Sequence, residues 1–398
     1  MTQPVALIVG GGVAGLSAAW WLGTIGWRSV VVECARNLRS GGYMMSLSGP
    51  GYEAARRMNV LPYLEQLRHP HGESIYYDRR GRELLRLRHR EFLKDFPYLV
   101  IRRSDLVNVL AERLPRDCEL RLGTELASIE LKGDGVNVTL TDGAALKADL
   151  LIGADGVNSK IRREWFAPDT EVLKPLGYRF AAYEVPDTLS LKADFLSYAH
   201  PGRISEFYRL SEGRMAALHV WSHGRKSPDP TLPFDELGGI FRDDHANVQN
   251  IIAAGANEER PPLVDNLTLV ESPAWSKGRI VLVGDAAHCI SLISGQGAGM
   301  AMTGAAVLAE ELGRGQSLTA ALNAYEARMR QPIGRLQARS RKIARWFVPH
   351  GFVGFYLRNF ILRHMPQRML ANYLRRSLES EILASGLGHL SMEVLETG

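Results

Sequence analysis

The sequence predicts an α/β fold: a Rossmann-like nucleotide-binding domain, interrupted by an inserted β-sheet domain and completed by C-terminal helices. Three stretches in this order carry the prediction: Val5 to Glu33, Asp149 to Arg162 and Gly278 to Leu312. Each is an apolar strand-like run that reaches a glycine or acid and then opens a helix, the pattern of a sheet that meets a ligand at its strand ends.

In the first stretch, Val5 to Val9 reads as a buried parallel strand, the glycine cluster Gly10 to Gly15 as a tight turn, and Ser29 to Glu33 as the next strand. Gly10 is expected to make the sharp turn, Gly12 to admit a pyrophosphate, and Gly15 to let the helix sit close on the strand. The helix N-terminus then offers free N–H groups to phosphate. Glu33, 18 positions beyond Gly15, stands where an acid accepts ribose hydroxyls.

Bulk properties bound the rest. A chain of 398 residues with 45% apolar content can bury a large core in two or three domains. The 48 Lys+Arg against 43 Asp+Glu give a net charge of +5, too diffusely spread to suggest nucleic acid. Cys34, Cys118 and Cys289 have no paired spacing, so neither a disulfide framework nor a metal site is expected, and a reducing, cytoplasmic compartment is the default. No signal peptide is expected, because the first apolar run is used as a strand. Phe347 to Leu362, the most membrane-like run, is too short and too polar to span, so a soluble protein is expected.

Arg36 to Gly49 reads as a Gly/Ser-rich loop, either passing the reactive end of a long cofactor or serving as a surface connection. Tyr52 to Leu67 places Ala55, Met58, Leu61, Leu64 and Leu67 at helical spacing, which predicts one packing helix. Glu73 to Leu87 reads as a hairpin turning at Gly81. A helix is expected to open at Arg103 to Leu106 with Ser104 as its cap and Arg103 within reach of an anion. Cys118 to Leu146 supplies three β-like runs, read as one small antiparallel sheet. Asp149 to Gly156 is a buried strand ending in Asp-Gly at a second ligand-facing junction.

Tyr178 to Val270 reads as long strands interleaved with Phe195, Tyr198, Phe207, Tyr208 and Trp221, a separate sheet walling a pocket. Gly278 to His288 returns to the first domain as a strand ending in Gly284-Asp285, where an acid can bind a polyol. The run Ser294 to Met300 opens a long helix through Leu312 whose first N–H groups face the ligand. His288, alone beside a turn, reads as structural rather than catalytic. Ser317 to Ser380 is expected to be helical and to dock across the two domains.

Taken together, Gly10-x-Gly12-x-x-Gly15 with Glu33, Asp155-Gly156 with Ser159 and Arg162, and Gly284-Asp285 with Gly295-Gln296-Gly297 resemble the single-component FAD-dependent aromatic hydroxylases built like para-hydroxybenzoate hydroxylase. Gly41 to Gly51 and Gly284 to Leu312 are similar to the branch of tetracycline-degrading and antibiotic-tailoring monooxygenases. The resemblance spans about residues 3 to 345. It implies noncovalent FAD, with Gly10, Gly12 and Gly15 at the pyrophosphate, Glu33 at the ribose, Arg103 at the pyrophosphate or ribityl side and Asp285 at the ribityl hydroxyls. The amides of Ala298 and Gly299 would face the flavin pyrimidine, and Asp155-Gly156 would serve both FAD and NAD(P)H. Val13, Ala14, Leu126, Gly284, Gly295 and Gly297 complete the cofactor set. Two residues depart from the family: Leu292 stands where a proline is usual, and Gly299 where Asn or Ser is common.

The resemblance implies a division into FAD-binding segments 1–72, 101–177 and 271–315, a hairpin 73–100 and sheet 178–270 for substrate, and C-terminal helices 316–398. Tyr43, Met45, Phe207, Arg209, Leu292 and Ile293 are the candidate substrate-pocket residues. The implied reaction oxygenates an aromatic or polycyclic small molecule with O2 and either NADH or NADPH, and requires no catalytic side chain of the protein for a phenolic substrate. A flavin reductase without oxygen insertion and a non-redox FAD-containing cyclase are the alternatives; a Trp-x-Trp-x-Ile-Pro halogenase stretch is absent. Monomer and dimer are equally open.

Overall fold

A computed structural model describes residues 3–38, 44–70, 72–89, 97–133, 135–191, 193–211, 213–223, 232–348, 351–364 and 369, apart from the side chains at 345–347, 352 and 362. The chain builds two main sheets facing each other across a cavity. The first has the strand order Ser276–Lys277, Ile280–Leu282, Leu150–Gly153, Val5–Val9, Arg28–Glu33, Cys118–Leu122. All neighbours run parallel except the edge pair Ser276–Lys277 and Ile280–Leu282. Its central residues, such as Leu7, Ile8, Val31, Leu151 and Val281, are buried, which is why these strands read as unbroken apolar runs.

The glycines of the first turn divide their work. Gly10 adopts φ 110°, and a Cβ there would lie 2.4 Å from the Ala154 carbonyl oxygen. A Cβ on Gly15 would come within 2.0 Å of the Gly10 carbonyl oxygen, so this glycine sets the approach of helix Val13–Thr24 to the strand. A Cβ on Gly12 would meet nothing within 4 Å; the space belongs to the cavity.

The second sheet has the order Leu263–Val270, Leu173–Pro186, Arg214–Ser222, Arg203–Arg209, Phe195–His200, Glu73–Asp78, Glu83–Arg88. The hairpin turning at Gly81 thus joins the later strands, and Phe195–His200 pairs with it in parallel. One face packs Tyr183, Tyr198, Phe207 and Trp221 against helices Phe234–Ile240 and Ala246–Gly255, which the strand reading of 178–270 overlooked. The opposite face turns Phe180, Ile204, Leu218 and Val220 toward the cavity side. Strand Leu173–Pro186 begins ahead of the expected boundary at 177, and its register shifts between Pro175 and Arg179, where Gly177 has φ 85°.

Local pattern alone misplaced four other elements. Cys118–Leu122 is the edge of the parallel sheet, leaving Leu126–Lys132, Gly135–Leu140 and Ala145–Ala148 as the small antiparallel sheet. Alternation identifies a strand without identifying its partner. Met44–Ser48, inside the expected loop, pairs antiparallel with Tyr98–Arg102 and buries Met44, Met45 and Leu47. The single helix over 52–67 is two, Gly49–Arg57 and Leu61–Gln66, parted where Asn59 turns left-handed at φ 54° and Pro62 offers no N–H. Helix Arg103–Glu112 is capped by Arg102 without a side-chain bond, and Ser104 is buried within its first turn.

Helix Leu318–Phe347 spans 30 residues and touches both sheets, as expected of the C-terminal region. Tyr325 donates its hydroxyl to the Leu282 carbonyl of the parallel sheet, and the Gln337 amide donates to the Val270 carbonyl of the other. Among the described residues no helix is long and apolar enough to cross a membrane.

Candidate active site

Between the sheets lies a cavity of about 550 Å³. One wall is mostly backbone. Gly12 to Ala14 line it at the start of helix Val13–Thr24, and Gly295, Gly297 and Ala298 line it at the start of helix Gly297–Gly313. Among the described residues no side chain caps either helix, so the first N–H groups of both remain for a ligand with negative or acceptor character. Gly156 (φ 78°), Arg103 and Asp285 complete this wall. The Asp285 side chain opens on the cavity yet is ringed by protein; burial pushes its carboxyl above the ordinary value, while Arg103 pulls it back down.

The facing wall is made of side chains. Glu206 and Tyr208 reach it from one strand, Phe195 from the next, and Ser74 and Tyr76 from the hairpin, with Leu218, Val220 and Leu267 beside them. The Tyr208 hydroxyl donates to Glu206 Oε2 at 3.2 Å. Burial pushes the Glu206 carboxyl up to about 7 and holds the hydroxyls of Tyr76 and Tyr208 well above the ordinary phenol value. Ser74 Oγ lies 2.7 Å from His89 Nε2 at the same end.

A backbone cradle of two open helix ends, an acid and an arginine suits a dinucleotide with a polyol link. Comparison with known proteins decides which. Residues 2–340 match the family model described as FAD binding domain. The chain belongs to this FAD-binding family. A 3-hydroxybenzoate 6-hydroxylase of Aquipseudomonas alcaligenes is 31% identical over 348 residues, covering 84% of this chain and 87% of the relative. A flavin-dependent monooxygenase of Legionella longbeachae serogroup 1 (strain NSW150) is 30% identical over 315 residues, covering 77% and 79%. The fold matches the solved structure of Klebsiella pneumoniae HpxO complexed with FAD and uric acid at a TM-score of 0.81 and 23% identity, over 97% and 98% of the two chains. The protein is therefore an FAD-dependent monooxygenase by family, as the three motifs implied.

Within this flavoprotein the expected cofactor residues separate into two groups. Gly12, Val13, Ala14, Arg103, Gly156, Asp285, Gly295, Gly297 and Ala298 border the cavity. The others do not border it. Gly10 and Gly15 make the turn, and a Cβ on Gly284 (φ 59°) would lie 2.6 Å from that of Ala14. Asp155 accepts the Ile161 N–H and so stiffens its own loop. Glu33 accepts N–H groups of Gly11 (2.7 Å) and Ala35 (3.0 Å), beyond the cavity wall. Leu126 is a buried core residue away from the cavity. A Cβ on Gly299 would lie 3.2 Å from Gly51 Cα, so its missing side chain serves the packing of two helices.

Of the substrate-side candidates, Met45, Leu292 and Ile293 line the cavity, and Tyr43 lies outside the described residues. Phe207 and Arg209 are corrected. Side chains along a strand alternate between faces, so once Glu206 and Tyr208 face the cavity, Phe207 must enter the opposite core, where it is fully buried. Arg209 likewise faces away and stands 3.9 Å from Asp194. The sequence reading missed Glu206, Tyr76, Ser74 and His89; an acid amid aromatic and aliphatic strand residues was the available signal. It also assigned no task to Arg162, which is fully buried and donates to the carbonyls of Ala286 (3.2 Å) and Val157 (2.7 Å) and to Asp169 (2.6 Å), tying the Asp-Gly loop to the Gly-Asp loop.

Proposed function

We propose that the protein hydroxylates an aromatic or polycyclic small molecule, taking electrons from NADH or NADPH and oxygen from O2. The observation that carries this reading is one cavity with two unlike walls, a backbone cradle facing an aromatic sheet, so that cofactor and substrate share one enclosed space. When bound, FAD supplies the redox and oxygen chemistry. The residues of the chain bind and orient. Gly12 and the two helix starts would hold the phosphates and the flavin edge, Arg103 the pyrophosphate side, and Asp285 the ribityl hydroxyls. Glu33, where the chain leaves the second strand, would mark the ribose end.

The three segments 1–72, 101–177 and 271–315 would form the FAD domain; they supply every strand of the parallel sheet. Met45, Leu292 and Ile293, with Tyr76, Phe195 and Tyr208, would enclose the substrate and exclude water. A reducing, cytoplasmic setting fits the free thiols of Cys34, Cys118 and Cys289.

Purified protein assayed for NAD(P)H oxidation with and without candidate aromatic ligands tests the reading. Ligand-stimulated oxidation, an oxygenated product and little hydrogen peroxide are expected. Oxidation matched by a reduced product, with no oxygen uptake, would establish the reductase alternative instead.

A further inference from the structure

We propose that Glu206, flanked by the hydroxyls of Tyr208 and Tyr76, recognises a hydrogen-bond donor on the substrate, a phenolic O–H or an N–H, and turns aromatic carboxylates away from this end of the cavity. This rests on the monooxygenase reading and names the substrate class for it.

The register places the group. Across three neighbouring strands Glu206 stands opposite Ser197, and Ser197 opposite Tyr76. The adjoining row is Tyr208, Phe195 and Ser74. Residues in register share a face, so an acid, two phenols and a hydroxyl project together from the sheet into the cavity. Ser197, small and buried, stands between Glu206 and Tyr76 in this row.

Glu206 is 6% exposed, and no cation pairs with it among the described residues. Its Oε2 accepts the Tyr208 hydroxyl, while Oε1 accepts no hydrogen bond from a described residue; the Tyr76 hydroxyl is likewise uncommitted. A buried carboxyl with a vacant acceptor lowers its energy by taking a donor from a ligand. A ligand carboxylate in the same place would meet a like charge in a poorly hydrated space. The arginines that border the cavity, Arg103 and Arg339, come from helices on other walls. Burial raises the Glu206 carboxyl to about 7, so the like-charge exclusion acts above that pH, where the group is ionised, and the two probes are compared at about pH 8.

The test uses the FAD-loaded full chain and the matched probes 2-naphthol and 2-naphthoate, with binding read from the change in flavin absorbance. We expect the naphthol to bind at least about tenfold more tightly than the naphthoate, and Glu206→Gln to shrink that ratio to about threefold or less while keeping the flavin. Equal affinities in the parent, no binding of the naphthol, or an unchanged ratio in the folded Glu206→Gln protein overturns the proposal. The ratio in the parent decides even if the variant fails to fold. Failure of the monooxygenase reading would show separately, as absence of flavin or of ligand-stimulated NAD(P)H oxidation.

Discussion

The two walls of the cavity are built by different means. The cradle wall uses glycines, helix starts and a few charges, so its ligand meets mainly backbone. The sheet wall uses side chains that alternate in and out, so each strand residue is either ligand surface or core according to a single register. Backbone sites carry their signature in the chain order. Side-chain sites on a sheet depend on which face the pleat presents, and a one-residue error exchanges one for the other.

Substitutions can break this contrast. The largest effect is expected for Gly12→Val, which puts a branched side chain into the open space at the cradle. The purified variant should be colourless while its urea unfolding matches that of parent apoprotein; retained flavin would refute the phosphate role. On the other wall, Phe207→Ala should cost about 3–5 kcal/mol of stability, measured by denaturant unfolding, because it empties a fully buried site. Its neighbour Tyr208→Phe should shift stability by about 1 kcal/mol or less and act on ligand affinity instead. Reversed outcomes for that pair would mean that the assigned faces are wrong.

Asp285→Ala removes a charged acceptor worth about 1.5–3 kcal/mol, so FAD affinity should fall by about one to two powers of ten on titration. A pH response is shared by both sides. Burial holds His219 down at about 3, behind the sheet, and His288 at about 4, behind the cradle, against an ordinary value of 6.5. The unfolded chain therefore takes up protons that the folded chain refuses. Stability is full above about pH 6.5 and falls as the pH drops below it, by about 1.4 kcal/mol per histidine per pH unit. His219→Gln should shrink the loss in urea midpoint between pH 7 and 5.5; an unchanged loss would exclude His219 as a source.

The same contrast explains what was legible. The parallel sheet, its glycine turn and the Gly284-Asp285 strand end could be read because apolar runs and glycines act locally. Val5–Val9 and Arg28–Glu33 pair in parallel as their sequence required. Cys118–Leu122 could be recognised as a strand, but its partner Arg28–Glu33 is distant in sequence. Met44–Ser48 was hidden by neighbouring glycine and serine, although pairing with Tyr98–Arg102 buries its apolar residues. Phe207 was chosen over Tyr208 because aromatic content marks a sheet wall without telling its inside from its outside.

The helix Leu318–Phe347 has a mechanical consequence. At 1.5 Å per residue its 30 residues cover about 45 Å, with Pro332 between the residue bonded to the Leu282 carbonyl and those bonded to the Val270 and Ile290 carbonyls. Such a splint couples the two sheets, so neither can swing away from the other without tearing bonds along the helix. The two halves should therefore melt as one cooperative body.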